Sequence, residues 1–505
     1  MLAQQGLPAR AERLTTTTRQ NHELISAQNN FPPLVAGCTM IPKYQRPQPK
    51  ISSAWPAYAT NSPTATNLLA ADIGWRDFFR DTNLQQVIAL ALTNNANLLS
   101  AVQNVEQERS LYHVQALALV PTGDLNANYT RQRSPNFYSG QSSTNGPVGP
   151  LKYSEWQANI GIASYEVDLF GRVRSLKRQA LENYLAAQEG RRSAQIALVS
   201  QIGSAYLSQE EAAENLALSR QMLDAARESF NLTKQAFEAG VDSQFDLNNA
   251  STLLQSASTS VANSEQQFAE AADNLTLLVG EPLPPGLAPA PKLDTNACVA
   301  DIPAGLPSDL LERRPDVLQA EHQLEAANAN IGVARAAFFP TITLTGDEGY
   351  ASTKLSDLFT PGSRAWEFSP QIVWPVLASG TAYQELKAVK AAKLMQIANY
   401  QNAVQTAFRD VADALATHAA VQSELADSES LVQADQQSYN LTSAGFNSGV
   451  NSKLDLLVTL QTLDTARQNL IQVEYTRMAS LINLYQALGG GWNENTAQSQ
   501  QAARQ

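Results

Sequence analysis

The chain has 505 residues, 44% of them apolar, and a formal net charge of −12. That acidity, with no long basic run, argues against a nucleic-acid partner. No run of roughly 18 apolar residues occurs, which excludes a transmembrane helix but not a β-barrel, whose alternating strands leave only a weak signal.

Residues Leu34-Val35-Ala36-Gly37-Cys38 have the shape of a lipoprotein cleavage site. A signal peptide also needs an apolar stretch of about 7–15 residues upstream. Residues 1–37 carry Arg10, Glu12, Arg13, Arg19 and Glu23 instead, an atypical N-terminal region. Cys38 is therefore either a lipidation site or an ordinary thiol, and a single chain would anchor only weakly without further membrane contact. Residues 38–75, rich in Pro, Ser, Ala and Asn, predict an extended linker.

A first repeat is expected over 76–280. Helical pattern starts near Asn83 and stops at Pro121. Leu125, Ala127 and Tyr129 then alternate with Asn126, Asn128 and Thr130, and Trp156, Ala158, Ile160 and Ile162 alternate with Gln157, Asn159 and Gly161. This period of two predicts a β-hairpin over 124–170 with a long polar loop. From Arg172 to Ala239 there is no proline. A continuous helix of that length would be roughly 100 Å long, at about 1.5 Å per residue. Gly240 stops it and Ser243 restarts a helix to Val279, so 172–279 reads as a helical hairpin.

Residues 281–307, with Pro284, Pro285, Pro289, Pro291, Pro303 and Pro307, read as a linker, and the order then repeats over 308–488. A helix from Ser308 ends before Pro340, strands follow at 341–350 and 366–376, and a second helical hairpin fills 381–488 with its turn at Gly449. Val404, Phe408, Val411 and Leu415 recur at the steps of a coiled-coil seam. The polar, Gly-rich tail 489–505 predicts a mobile segment. The repetition is direct. Residues 229–247 read SFNLTKQAFEAGVDSQFDL and residues 438–456 read SYNLTSAGFNSGVNSKLDL, ten of nineteen positions identical without a gap. An internal duplication of this kind sets the fold.

Cys38 and Cys298 stand apart, and the four histidines are scattered. No C-x-x-C, H-E-x-x-H, G-x-S-x-G, Walker loop or G-x-G-x-x-G occurs, so no metal, no cofactor and no enzymatic constellation is expected.

Several passages resemble one family, the TolC-like outer-membrane factors of tripartite efflux pumps, and within it the lipoprotein branch serving resistance-nodulation-division transporters. They are Leu306-Pro307-Ser308-Asp309-Leu310-Leu311-Glu312-Arg313-Arg314-Pro315-Asp316-Val317, Arg335-Ala336-Ala337-Phe338-Phe339-Pro340, Tyr165-Glu166-Val167-Asp168-Leu169-Phe170-Gly171-Arg172, and the two Gly-Val-x-Ser-x-x-Asp-Leu turns. The resemblance covers Cys38 to about Trp492. It implies a mainly α fold with a small β part: a homotrimer in which each chain gives four strands to one shared transmembrane β-barrel and its helices to a coiled-coil barrel reaching into the periplasm. It implies an outer-membrane exit duct for small molecules, a periplasmic adaptor protein as partner and an inner-membrane transporter behind it. The alternatives are the duct of a type I protein secretion system, which shares the fold, and an elongated coiled-coil scaffold. The scaffold leaves the alternating strands and the Cys38 site unexplained.

Ser243-x-x-Asp246 and Ser452-x-x-Asp455 match a capping box, a structural role. The resemblance gives Asp455 a second one, since the family narrows its tunnel with acidic rings at the periplasmic tips of the inner hairpins. The position three further on, often Asp in the family, is Val458 here, so any ring is single at this level. Gly240 and Gly449 are expected at φ > 0. Val241, Ser243, Val450 and Ser452 would then sit on the tips where the family docks its adaptor; a purely structural turn is the alternative. Trp156, Trp366 and Trp374 with Phe368 and Tyr350 suit either an interfacial belt or plain strand packing.

Overall fold

The computed structural model describes residues 39–48, 52, 55, 70–134, 151–299, 302 and 313–496. Its elements are α1 (Thr82–Asn94), α2 (Ala96–Leu117), β1 (Asp124–Ser134), β2 (Leu151–Glu166), α3 (Arg172–Glu238), α4 (Gln244–Val279), α5 (Pro315–Ala336), β3 (Thr341–Ser352), β4 (Arg364–Val373), α6 (Ser379–Asn447) and α7 (Lys453–Ala487).

The helix expected from Asn83 is broken in two. Asn95 is extended, with its side-chain oxygen accepting the Leu98 N–H at 3.0 Å and its amide donating to the Leu278 carbonyl at 2.8 Å. One residue thus ends α1, caps α2 and fixes the break against the end of α4, a satisfaction of orphan groups that helical periodicity does not register.

α3 and α6 have 67 and 69 residues, so each is roughly 100 Å long. Each packs along two shorter helices set end to end, α2 and α4 on α3, α5 and α7 on α6. α5 and α7 also pack on α3. The helices therefore form a layer in the order α2 with α4, α3, α5 with α7, α6. Of the expected seam, Val404, Val411 and Leu415 are buried, while Phe408 is covered by Trp55, stacked at 5.0 Å.

The main apolar core lies part-way along the long helices. Phe78 stacks on Tyr485 at 4.0 Å, beside Phe79, Ile88, Ile202 and Leu207. The inter-repeat linker is part of it, and the start of the tail packs beside it. Leu293, Ala297, Cys298 and Ile302 of the inter-repeat linker are buried. That segment is held on α3 by carboxylates: Glu210 accepts the Ala290 and Asp294 N–H groups at 3.2 Å each, and Glu214 accepts that of Leu293 at 3.0 Å. The first residues of the tail, up to Thr496, are bonded as well. The N–H groups of Trp75 and Arg76 donate to the carbonyls of Asn493 and Glu494 at 2.9 and 3.1 Å, and Arg192 lies over the Trp492 ring. Composition suggested mobility; the tail's carbonyls instead supply acceptors to backbone that would otherwise be buried unpaired.

Near the other terminus, residues 39–48 run extended along α5. Asn328 donates to the Pro42 carbonyl at 2.8 Å, Arg335 to that of Met40 at 3.2 Å, and Arg46 Nε to Glu321 at 2.8 Å. A Cβ on Gly332 would lie 2.7 Å from Ile41.

The sheet is antiparallel in the order β1-β2-β3-β4. Its period of two gives the sheet two unlike faces, with Glu348 and the charged residues near the strand ends as exceptions on the apolar one. One face carries Leu125, Ala127, Tyr129, Trp156, Ala158, Ile160, Leu344, Tyr350, Trp366, Phe368 and Ile372. The other carries Asn126, Asn128, Thr130, Gln157, Asn159, Asp347, Thr345, Glu367 and Gln371. Trp366 is 75% exposed, although Tyr129 and Trp156 meet at 4.4 Å. Large exposed apolar groups over most of one sheet face, with polar groups on the other, fit a wall between lipid and water. Trp374 lies just beyond β4 and donates to the Phe338 carbonyl at 3.2 Å. Among the described residues no helix is long and apolar enough to cross a membrane.

Candidate functional site at the helical tips

Both long helices end in the same way. At the first tip Gly240 takes φ 76°, its N–H donates to the Phe237 carbonyl at 2.9 Å and that of Val241 to Ala236 at 2.9 Å. At the second Gly449 takes φ 75°, with bonds to Phe446 at 3.0 Å and from Val450 to Gly445 at 2.8 Å. These are the two bonds of a Schellman motif. A Cβ on either glycine would meet nothing within 4 Å, so the requirement is left-handed backbone rather than room. Val241 and Val450 project from the turns, 79% and 80% exposed.

Each return helix opens with a capping box. The Asp455 N–H donates to Ser452 Oγ at 3.1 Å, while Asp455 Oδ2 accepts the Ser452 N–H at 2.9 Å and its hydroxyl at 2.6 Å. Ser243 and Asp246 repeat the arrangement at 3.2, 3.1 and 2.5 Å. The serine hydroxyl, and then the backbone N–H, hold both carboxyls below the usual carboxylate range. Asp455 is thus an exposed, ionised carboxylate of fixed orientation.

The copies differ where their sequences diverge. Lys453, replacing Gln244 of the first copy, donates from Nζ to the Ser229 carbonyl on α3 at 3.2 Å. Burial lowers its pKa, and the nearby Asp242 and Asp246 oppose that shift. The second tip is therefore tied to the first hairpin through one cation. Asn451, replacing Asp242, donates to the Thr442 carbonyl at 3.3 Å. A Cβ on Gly445 would lie 2.4 Å from its Nδ2, whereas the equivalent position in the first copy is Ala236.

Gly240, Val241 and Ser243 thus share one tip, and Gly449, Val450, Ser452 and Asp455 share the other. Cys38 lies outside the described residues. In the sequence Asn451 and Lys453 stand out as positions where the two copies diverge, which could set one hairpin inside as the gate; their partners, and Gly445, emerge only from the fold.

Two stretches, residues 87–281 and 306–490, match the family model described as outer membrane efflux protein. The chain belongs to the outer membrane efflux protein family. It is 40% identical over 471 residues to the toluene efflux pump outer membrane protein TtgC of Pseudomonas putida, covering 93% of this chain and 96% of that one. It is 36% identical to the outer membrane protein OprJ of Pseudomonas aeruginosa, covering 91% and 94%. Its fold superposes on the open state of the MtrE outer membrane channel of Neisseria gonorrhoeae with a TM-score of 0.81 at 35% identity, over 91% of this chain and 100% of that one. The chain is an outer-membrane exit channel of an efflux system, its sheet in the membrane and its helices in the periplasm.

Proposed function

We propose that three copies close into one duct, that the tips around Gly240 and Gly449 dock a periplasmic adaptor, and that Asp455 narrows the periplasmic mouth. The observation that carries this reading is the coincidence of open sides. Among the described residues no helix or strand packs on the outer side of α2 with α4, of α6, where Trp55 alone covers Phe408, or beyond the sheet edges β1 and β4. β1 follows α2 in the chain and β4 leads into α6, so the open edges of sheet and helices fall on the same two sides. β4 runs antiparallel to β1. Head-to-tail contact of α6 and β4 with the next copy's α2, α4 and β1 leaves no sheet edge facing lipid once the ring closes. Three comes from the family resemblance, not from the single chain.

In such a ring the Asp455 carboxylates, kept ionised by their capping bonds, face one another across the axis. Like charges at close range repel, disfavour anions and hold cations. The duct has no chemistry of its own. An inner-membrane transporter supplies the energy, small apolar or amphipathic molecules are the cargo, and Cys38 carries the lipid that holds the chain at the membrane.

Asp455→Ala should raise single-channel conductance in planar bilayers and admit large antibiotics; unchanged conductance removes the gate. Gly449→Val should lose cross-linking to the adaptor while the heat-modifiable trimer persists. Loss of both together would mean that the turn serves folding alone.

A further inference from the structure

The sheet carries a cationic cluster that the transport reading does not use. On the apolar face, beyond the Tyr129–Trp156 ring pair, the next positions are Arg131 and Arg133 on β1 and Lys152 on β2. Arg133 and Lys152 stand directly opposite in the ladder, and Arg131 lies two residues along on the same face. All three are exposed.

Like charges directly across an antiparallel ladder repel, so this placement costs stability unless an anion lies over it. No carboxylate is paired with the cluster among the described residues. Glu155 projects from the opposite face, and residues 135–150, which join the two strands, contain no acidic residue. The contrast is Arg364 on β4. It stands two residues beyond Trp366 at the membrane-distal end of its own strand, level in the ladder with Ala127, and its Nε donates to Glu348 at 2.8 Å.

Height in the membrane follows from topology. The helices join the sheet at Asp124, Glu166, Thr341 and Val373, so the ends near Ser134 and Leu151 point away from the periplasm. Along the face the order is apolar residues, then the aromatic pair, then the cations. Aromatic side chains mark the level where acyl chains give way to headgroups. The cations therefore lie at the headgroups of the outer leaflet.

We propose that Arg131, Arg133 and Lys152 form a binding site for the phosphorylated headgroup of an outer-leaflet glycolipid. Two arginines present paired N–H donors to phosphate oxygens and the lysine adds a point charge. The acyl chains of the same lipid would lie on Leu125, Ile160 and the aromatic pair below.

The test uses the full-length protein reconstituted in phosphatidylethanolamine vesicles containing bisphosphorylated lipid A, its dephosphorylated form, or neither. Bound lipid is counted by native mass spectrometry, and channel conductance verifies folding. Each basic side chain at an anionic surface is worth about fivefold. The variant combining Arg131→Gln, Arg133→Gln and Lys152→Gln should thus bind bisphosphorylated lipid A on the order of 100-fold more weakly, with conductance retained. Arg364→Gln should leave binding near wild type. Equal retention of phosphorylated and dephosphorylated lipid by the wild type, or unchanged binding in the triple variant, would overturn the site. Should the triple variant not insert, Arg133→Gln alone must still show the fivefold loss.

Discussion

α3 buries residues from Val173 to Thr233, nearly its whole length, whereas α6 buries them only between Tyr400 and Val421. The two helices have corresponding places in a duplicated chain and almost equal lengths. Their difference is one of position. α3 lies inside the layer with partners on both sides, and α6 is its edge. The ends of α6 carry Leu394, Leu431 and Leu441, each more than half exposed. The chemistry of what is buried differs too. α3 encloses Glu182, Glu189 and Glu210, while α6 encloses only apolar residues and Tyr400. Duplication supplied two similar rods; in the interior one Glu182 meets His322 of α5 and Glu210 holds the linker, and the edge one keeps exposed leucines at its ends.

The largest effect expected from this contrast is at Leu415. Leu415→Ala empties part of the core and should cost about 2–5 kcal/mol in the lone chain, whereas Leu441→Ala should stay within about 0.5 kcal/mol there. In the assembled protein Leu441→Ala should lower the melting temperature of the trimer. If it is silent there as well, the ends of α6 are not subunit contacts.

Glu210 sharpens the comparison through pH. Burial, with smaller contributions from Asp81 and Asp294, outweighs its two backbone hydrogen bonds and pushes it up to about 7 from 4.5. The folded chain then holds this proton more tightly than the unfolded chain. The stability Glu210 contributes is fully present below about pH 4.5 and is lost as pH rises through about 7. Melting curves between pH 5 and 8 should show a falling stability that Glu210→Gln flattens; an identical slope in the variant would show that the linker clamp does not titrate.

The smallest effect separates the tips. Gly445→Ala should displace Asn451 from the Thr442 carbonyl and cost about 1 kcal/mol, the worth of one hydrogen bond. Adding Asn451→Asp rebuilds the Ala/Asp pair of the first copy and should recover most of the loss. A double-mutant cycle by thermal melting measures it; additive losses would mean that the two positions are uncoupled.

Local chemistry was legible wherever it was repeated or periodic. The doubled passage located both turns, Gly240 and Gly449 required left-handed backbone wherever they sat, and Ser452 with Asp455 named its own cap. The alternation of Leu125, Ala127 and Tyr129 with Asn126 and Asn128 gave a strand with two unlike faces. These features depend on residues within a few positions of one another. Tertiary structure decided what depends on distant partners. Asn95 breaks a helix because Leu278 is beside it, Glu210 and Glu214 turn a proline-rich linker into core, and Asn493 and Glu494 hold the first residues of a tail whose composition suggested mobility. Lys453 reads as an exposed tip residue until Ser229, from the other copy, is set against it. Sequence carries propensity and periodicity; which buried polar group meets which partner exists only once the chain has brought them together.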